Sequence, residues 1–178
     1  MAILLEKNCD QMEKLFGYLS TDHRRLDALL DRAENTPLDI DSYKEFRKGL
    51  LRHIGIEEKI IFPALTRLRD GLPPDAATKL KLDHGALVAL LVPTPTPAII
   101  GVIRSILEMH NALEEGEEGV YRQIDRLAGD ELEELISKIK SAPEVPVLAF
   151  NDRPGIMEVT RRAVERAGYK NLSSKLVS

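Results

Sequence analysis

The chain contains four histidines, His23, His53, His84 and His110, and all four fall within two repeated patterns. Asp22-His23-Arg-Arg-Leu26-Asp-Ala28-Leu29-Leu30 matches Asp83-His84-Gly-Ala-Leu87-Val-Ala89-Leu90-Leu91. His53-Ile-Gly-Ile-Glu57-Glu58 matches His110-Asn-Ala-Leu-Glu114-Glu115. On a helix, the i, i+4 spacing of His53/Glu57 and His110/Glu114 stacks both side chains one turn apart on one face. If that face points inward, two carboxylates are taken out of water, which is costly unless they are paired, protonated or bound to metal. No lysine or arginine shares the inward stripes near these glutamates. Imidazole and carboxylate together suit iron, manganese or zinc, and four His with two Glu suffice for two ions. Two divalent ions against two carboxylates leave a positive remainder that a small bridging anion lowers.

The elements that must carry these residues are helical. Apolar residues recur every three or four positions almost throughout, and no stretch alternates as a half-buried strand does. The stripes read Leu19, His23, Leu26, Leu30; then Phe46, Leu50, His53, Glu57, Ile60 or Ile61, Ala64; then Leu80, His84, Leu87, Leu91; then Ile103, Ile106, His110, Glu114, with Tyr121 and Ile124 beyond. The histidines and glutamates thus stand at inward positions of four helices. The first helix is expected over residues 21–35, preceded by or continuous with a helical stretch over 8–19, and is ended by Pro37. Asp39 or Asp41 caps the second, which runs to about Arg69 and stops at Asp70-Gly71. Pro73-Pro74-Asp75 opens the third and Pro93 closes it. The run Pro93-Thr-Pro-Thr-Pro97 is a stiff extended connector to a fourth helix over 98–127. Gly116 and Gly119 weaken that helix, so a bulge there would bring Glu117 or Glu118 toward the site; otherwise Glu115, Glu117 and Glu118 form a solvated acidic face.

The remainder reads as an appendage. A short amphipathic helix is expected over 130–141, then an extended apolar strap, Pro143-Glu-Val-Pro146-Val-Leu-Ala-Phe150. Asp152 is placed to cap a last helix over 153–167, followed by a loose tail to Ser178. The expected fold class is all-α: a four-helix bundle over residues 1–128, with C-terminal helices and the strap, 129–178, packed on or beside it.

Composition narrows the function classes. A single cysteine, Cys9, excludes a disulfide scaffold and any Cys-rich metal site. A net charge of −4 and 4% aromatics without tryptophan argue against nucleic acid and anionic lipid as partners. No apolar run reaches the roughly 20 residues that span a bilayer, and the opening Met-Ala-Ile-Leu-Leu is too short for a signal peptide. A cytoplasmic location is expected.

The order and spacing of these residues resemble the hemerythrin-like proteins, the HHE cation-binding family, over residues 18–127, including Glu57-Glu58-Lys-Ile-Ile-Phe62-Pro63. The resemblance implies an antiparallel up-down four-helix bundle around a non-haem di-iron centre of the Fe–O–Fe type, with zinc or manganese as substitutes. Carried over position by position, it implies metal ligands at His23 and His53 for one ion, His84 and His110 for the other, and Glu57 and Glu114 as bridging carboxylates. The sequence departs from the oxygen carriers of that family, which have a second histidine four residues from the first on the third helix. Here those positions are Leu80 and Val88. One iron then keeps exchangeable positions, which favours sensing, redox or iron handling over reversible dioxygen transport. The implied ligand is a small molecule such as dioxygen, peroxide or nitric oxide. The alternative is a structural iron or zinc module whose appendage engages a protein partner that the sequence does not identify.

Overall fold

The computed structural model of the chain describes residues 14–176, and within them every regular element is helical. The expected helical stretch over 8–19 lies partly outside the described residues, as does Cys9. From Lys14 on, however, α1 (Lys14–Ala33) runs unbroken through Thr21. Its first turn is anchored from afar: the Leu15 and Phe16 N–H groups donate to the Asp125 carboxylate at 3.2 and 3.0 Å. That bond satisfies donors a helix start leaves open. The Thr36–Pro37 peptide, which is cis, follows the helix.

Asp39 caps α2 (Ile40–Ile56), its Oδ1 accepting from the Asp41 and Ser42 N–H groups at 3.1 Å. The helix then widens into one π-helical turn, Glu57–Ile61, where the Phe62 N–H donates to the Glu57 carbonyl, before α3 (Phe62–Leu68). Pro63 explains the position: it has no N–H to give the carbonyl four residues back and its ring crowds that oxygen. The stretch ends where Asp70 and Gly71 take positive φ and the Gly71 N–H donates back to the Thr66 carbonyl at 2.9 Å.

α4 (Ala77–Leu90) follows the paired prolines. In α5 (Pro97–Glu115), Pro97 is already the first helical residue and Thr96 Oγ1 accepts from the Ile99 N–H at 3.2 Å. The single fourth helix expected over 98–127 is broken. The chain leaves helical geometry at Gly116 and resumes at α6 (Val120–Leu127), and the break requires glycine. A Cβ on Gly119 would stand 2.2 Å from the Glu114 carbonyl oxygen.

Two apolar clusters fill the interior. One gathers Leu26, Leu30, Phe46, Leu50, Leu87, Leu90 and Ile99 to Leu107 positions. The other gathers Leu15, Leu19, Ile56, Ile61, Leu65, Leu80, Tyr121 and Ile124. The histidines sit between them along each helix, His23 between Leu19 and Leu26 and His84 between Leu80 and Leu87, so a polar layer divides the core.

The C-terminal third is tied down more firmly than its composition suggests. α7 (Leu132–Lys140) buries Leu132, Leu135, Ile136 and Ile139 in the second cluster. The strap lies along α2, with Arg47 Nη1 donating to the Leu148 carbonyl at 2.7 Å and its guanidinium over the Phe150 ring. Asp152 does not cap the last helix. It accepts from the Thr94 N–H and hydroxyl at 2.8 and 2.6 Å, pinning the strap to the Pro-rich connector, while Gly155 precedes α8 (Ile156–Arg166) in left-handed geometry. The tail expected to be loose forms α9 (Lys170–Ser173) and a final turn that buries Leu176. Among the described residues no helix is long and apolar enough to cross a membrane.

Candidate metal centre

All six residues singled out by the sequence converge in the polar layer, and all six are buried. Their side-chain atoms form two groups: His23, His53, Glu57 and Glu114, and Glu57, His84, His110 and Glu114. Within each group one donor atom per residue lies within 4.8 Å of every other. Glu57 and Glu114 belong to both, presenting one oxygen to each side. Glu57 Oε1 is 3.4 Å from His53 Nε2 and its Oε2 is 3.2 Å from His84 Nε2. Glu114 Oε2 is 3.4 Å from His23 Nε2 and its Oε1 is 3.1 Å from His110 Nε2. His84 and His110 face each other, Nε2 to Nε2, at 3.2 Å.

The four imidazoles are aimed by acidic residues that the sequence reading left out of the site. His23 Nδ1 meets Glu115 at 2.5 Å, His84 Nδ1 meets Glu58 at 2.8 Å, and His53 Nδ1 meets Asp22 at 2.9 Å. His110 Nδ1 lies 3.5 Å from Asp83 Oδ2, an ion-pair distance longer than a good hydrogen bond. A carboxylate only accepts, so Nδ1 of His23, His53 and His84 carries the proton, and the Nε2 of all four rings turns toward the centre. The pattern follows the repeat: Asp22 serves His53 as Asp83 serves His110, and Glu115 serves His23 as Glu58 serves His84. Each carboxylate comes from a different helical stretch than the ring it holds. Glu115, expected on a solvated face, is thus part of the site. Glu118 instead pairs outside with Arg126, and Glu117 is exposed, so neither enters. The available signal was the repeat itself, in which Asp precedes His and a second Glu follows Glu in both copies.

Tyr121, placed by the sequence on the inward stripe beyond Glu114 but not among the candidate ligands, also enters the layer. Its fully buried hydroxyl sits inside the first group, 3.2 Å from both His23 Nε2 and His53 Nε2 and 3.1 Å from Glu114 Oε2, and it donates to Glu57 Oε1. The break at Gly116–Gly119 sets its register, eleven residues beyond His110. Its counterpart in the other half, nine residues beyond His53, is Phe62, whose ring stacks on His84 with centroids 5.8 Å apart.

The electrostatics are those of a site that attracts cations. Burial opposes charge on the histidines, but the carboxylates outweigh it. Glu57 and Asp22 push His53 up to about 10, and Glu114 and Asp83 push His110 up to about 10. His23 and His84 are raised too, against burial, by Glu114 with Glu115 and by Glu57 with Glu58. Burial resists ionisation of Glu57, yet His53 and His84 hold it well below the usual carboxylate range. Burial, with Glu114 and Glu57, keeps the Tyr121 phenol protonated well above its ordinary range.

The donor set fits metal. Bonds of about 2.0–2.1 Å at right angles put neighbouring ligand atoms ~3 Å apart, and the inward contacts here run from 3.1 to 3.4 Å. Glu57 Oε2 and Glu114 Oε1 are buried and form no well-shaped hydrogen bond, each facing only an imidazole Nε2, a deficit that a cation between them makes good. Imidazole with carboxylate suits borderline divalent ions. An ion entering the layer would displace protons that the carboxylates help the imidazoles hold, so its charge is partly offset.

A family model for the hemerythrin HHE cation binding domain matches residues 15–142. No curated protein and no solved structure gave a match. The match covers most of the chain and spans every residue of the buried layer, and it is a domain defined by binding metal cations. The chain belongs to the hemerythrin HHE cation binding domain family.

Proposed function

We propose that this protein is a non-haem di-iron protein that binds dioxygen, peroxide or nitric oxide in the core of an antiparallel up-down four-helix bundle, and that it serves in sensing, redox chemistry or iron handling. The observation that carries the reading is the pair of buried donor groups that share Glu57 and Glu114. In this reading His23 and His53 hold one ion, His84 and His110 the other, and the two glutamates bridge them. The bundle is residues 1–128, made of α1, the α2–α3 stretch, α4 and the α5–α6 stretch. Residues 129–178 are its C-terminal appendage, and the protein is cytoplasmic.

A bound iron pair supplies reversible one-electron chemistry and open positions for a small ligand. The chain supplies everything else. Nδ1 hydrogen bonds to Glu115, Asp22 and Glu58 hold the rings of His23, His53 and His84 with Nε2 inward, and Asp83 lies at ion-pair distance from His110, so little reorganises when ions enter. The two apolar clusters exclude water on both sides of the layer. Each group offers four protein donor atoms from His and Glu, fewer than an octahedral ion takes. Leu80, buried against the second cluster, and Val88, half turned to solvent, add none beside His84. That shortage supports sensing or redox use over reversible carriage.

The test is to load the protein with iron and count the metal, expecting two ions per chain. The loaded protein is then reduced, exposed to oxygen and cycled by degassing. We expect near-ultraviolet absorption of a diferric pair that degassing alone does not reverse, and spectra perturbed by azide and nitric oxide. A stoichiometry near one ion overturns the two-ion reading. Clean recovery of the diferrous protein over several degassing cycles restores oxygen transport.

A further inference from the structure

The pseudo-symmetric arrangement of the layer is broken at one place, where Tyr121 stands on one side and Phe62 on the other. We infer that Tyr121 is a fifth protein ligand, bound as a phenolate through its oxygen to the metal held by His23 and His53. The inference rests on the metal-binding reading above and makes the two ions chemically different.

The argument is geometric. The Tyr121 oxygen lies 3.2 Å from His23 Nε2, 3.2 Å from His53 Nε2 and 3.1 Å from Glu114 Oε2. These are the ~3 Å separations of neighbouring atoms around one ion with bonds of about 2.1 Å. An oxygen at that distance from three ligand atoms stands where a further ligand of the same ion would stand. The hydroxyl is enclosed, with Tyr121 entirely buried, and every polar contact it makes is to one of the candidate ligands: His23, His53, Glu57 and Glu114. A tyrosine retained only for packing would not need its one polar atom at the meeting point of two imidazoles and two carboxylates. On the other side, Phe62 covers His84 with a ring that has no donor atom. Exchangeable positions therefore gather on the His84/His110 ion.

Coordination forms an oxygen–metal bond and breaks the phenol O–H bond. The phenol proton is displaced by the entering ion and leaves to solvent; no electrons are exchanged. The protein, loaded with iron and oxidised in air, is examined by visible absorption and resonance Raman spectroscopy. We expect a visible phenolate-to-iron(III) charge-transfer band and ring vibrations that move when the protein carries ring-deuterated tyrosine. In Tyr121→Phe, with iron still at two per chain and unchanged helicity, the band should vanish while near-ultraviolet absorption persists. A diferric wild-type protein without tyrosine-sensitive vibrations overturns the inference, as does a band that survives in Tyr121→Phe. The wild-type isotope experiment decides against the inference even where the variant fails to fold. A wild-type chain that takes up no iron at all overturns the metal reading itself, so the two failures are distinguishable.

Discussion

Asp22→Asn isolates what the outer carboxylates contribute. Asp22 Oδ2 accepts from His53 Nδ1 at 2.9 Å while its other oxygen accepts from Arg25 at 2.7 Å. Burial works against its ionisation, but the His53 and Arg25 contacts hold its carboxyl at about 2, so it is charged at any working pH. Asparagine keeps the size and leaves an oxygen able to accept from Nδ1, so the substitution removes charge rather than shape. Losing such an outer partner typically costs 10–100-fold in metal affinity. The proton competes for the same Nε2, and the same carboxylate helps hold that proton, so part of the loss cancels at neutral pH. We therefore expect the lower end, about tenfold or ~1.4 kcal/mol. Competition against a chelator, titrated with cobalt or zinc, should show one of the two ions weakened and the other little changed. Asp83→Asn should weaken the other ion, and by less, because its contact to His110 is 3.5 Å. Asp41→Asn, on an exposed side chain, is the control. Unchanged affinity within about threefold, or equal weakening of both ions by Asp22→Asn, would refute the reasoning that these acids act through one imidazole each.

Three further outcomes follow from the same geometry. Gly119→Ala should destabilise the fold by ~1–3 kcal/mol and lower metal occupancy, read by denaturant melts and metal analysis, because its Cβ would meet the Glu114 carbonyl at 2.2 Å. Without metal, stability should fall as pH rises from 6.5 to about 10. His53 and His110 have proton affinities raised above an unfolded value of 6.5 to about 10, so their contribution is complete below 6.5 and lost through 10. Chemical denaturation at several pH values checks this, and a flat profile contradicts it. Chelation should lower the melting temperature of the loaded protein, and His53→Ala or His110→Ala should abolish most of the difference between loaded and stripped forms.

What could be read from the sequence was whatever depends on helical phase. Histidine and glutamate at steps of three and four from buried leucines must share the leucines' face, and the structure brings those six side chains together. Asp22, Glu58, Asp83 and Glu115 were opaque for the same reason. Each stands one residue from an inward position, about 100° around the helix, where an acid is ordinarily solvated. Only the neighbouring helix turns that flank into a contact with Nδ1. Tyr121 was legible as an inward residue, but the reach of its hydroxyl into the donor groups was hidden, since it follows from the path at Gly116–Gly119 rather than from any period. Asp152 carried a correct signal, a side chain that accepts from backbone N–H, but Thr94 from another part of the chain took the bond. The buried tail was missed because its anchors, Tyr169 on Lys79 and Leu176 in the first cluster, are long-range.

The crossed pattern of outer carboxylates bears on why this layer tolerates so much buried charge. Each imidazole is carried by one helical stretch and aimed by another: α1 supplies Asp22 to His53, α5 supplies Glu115 to His23, the π-helical turn supplies Glu58 to His84, and α4 supplies Asp83 to His110. Lys79, bound to Asp83 and to Tyr169, extends that bracing into the C-terminal helices. The orientation of every Nε2 is thus fixed by tertiary packing and is lost only if stretches separate. Two apolar clusters hold the stretches together above and below, where burial is favourable without any ion. Without metal the layer adds cohesion only while its imidazoles are protonated against the carboxylates, and the repulsion of His84 and His110, facing at 3.2 Å, works against it. A divalent ion converts that repulsion into shared coordination. The fold therefore stands on its apolar clusters and is tightened by metal, which is why chelation is expected to lower the melting temperature rather than abolish the helices.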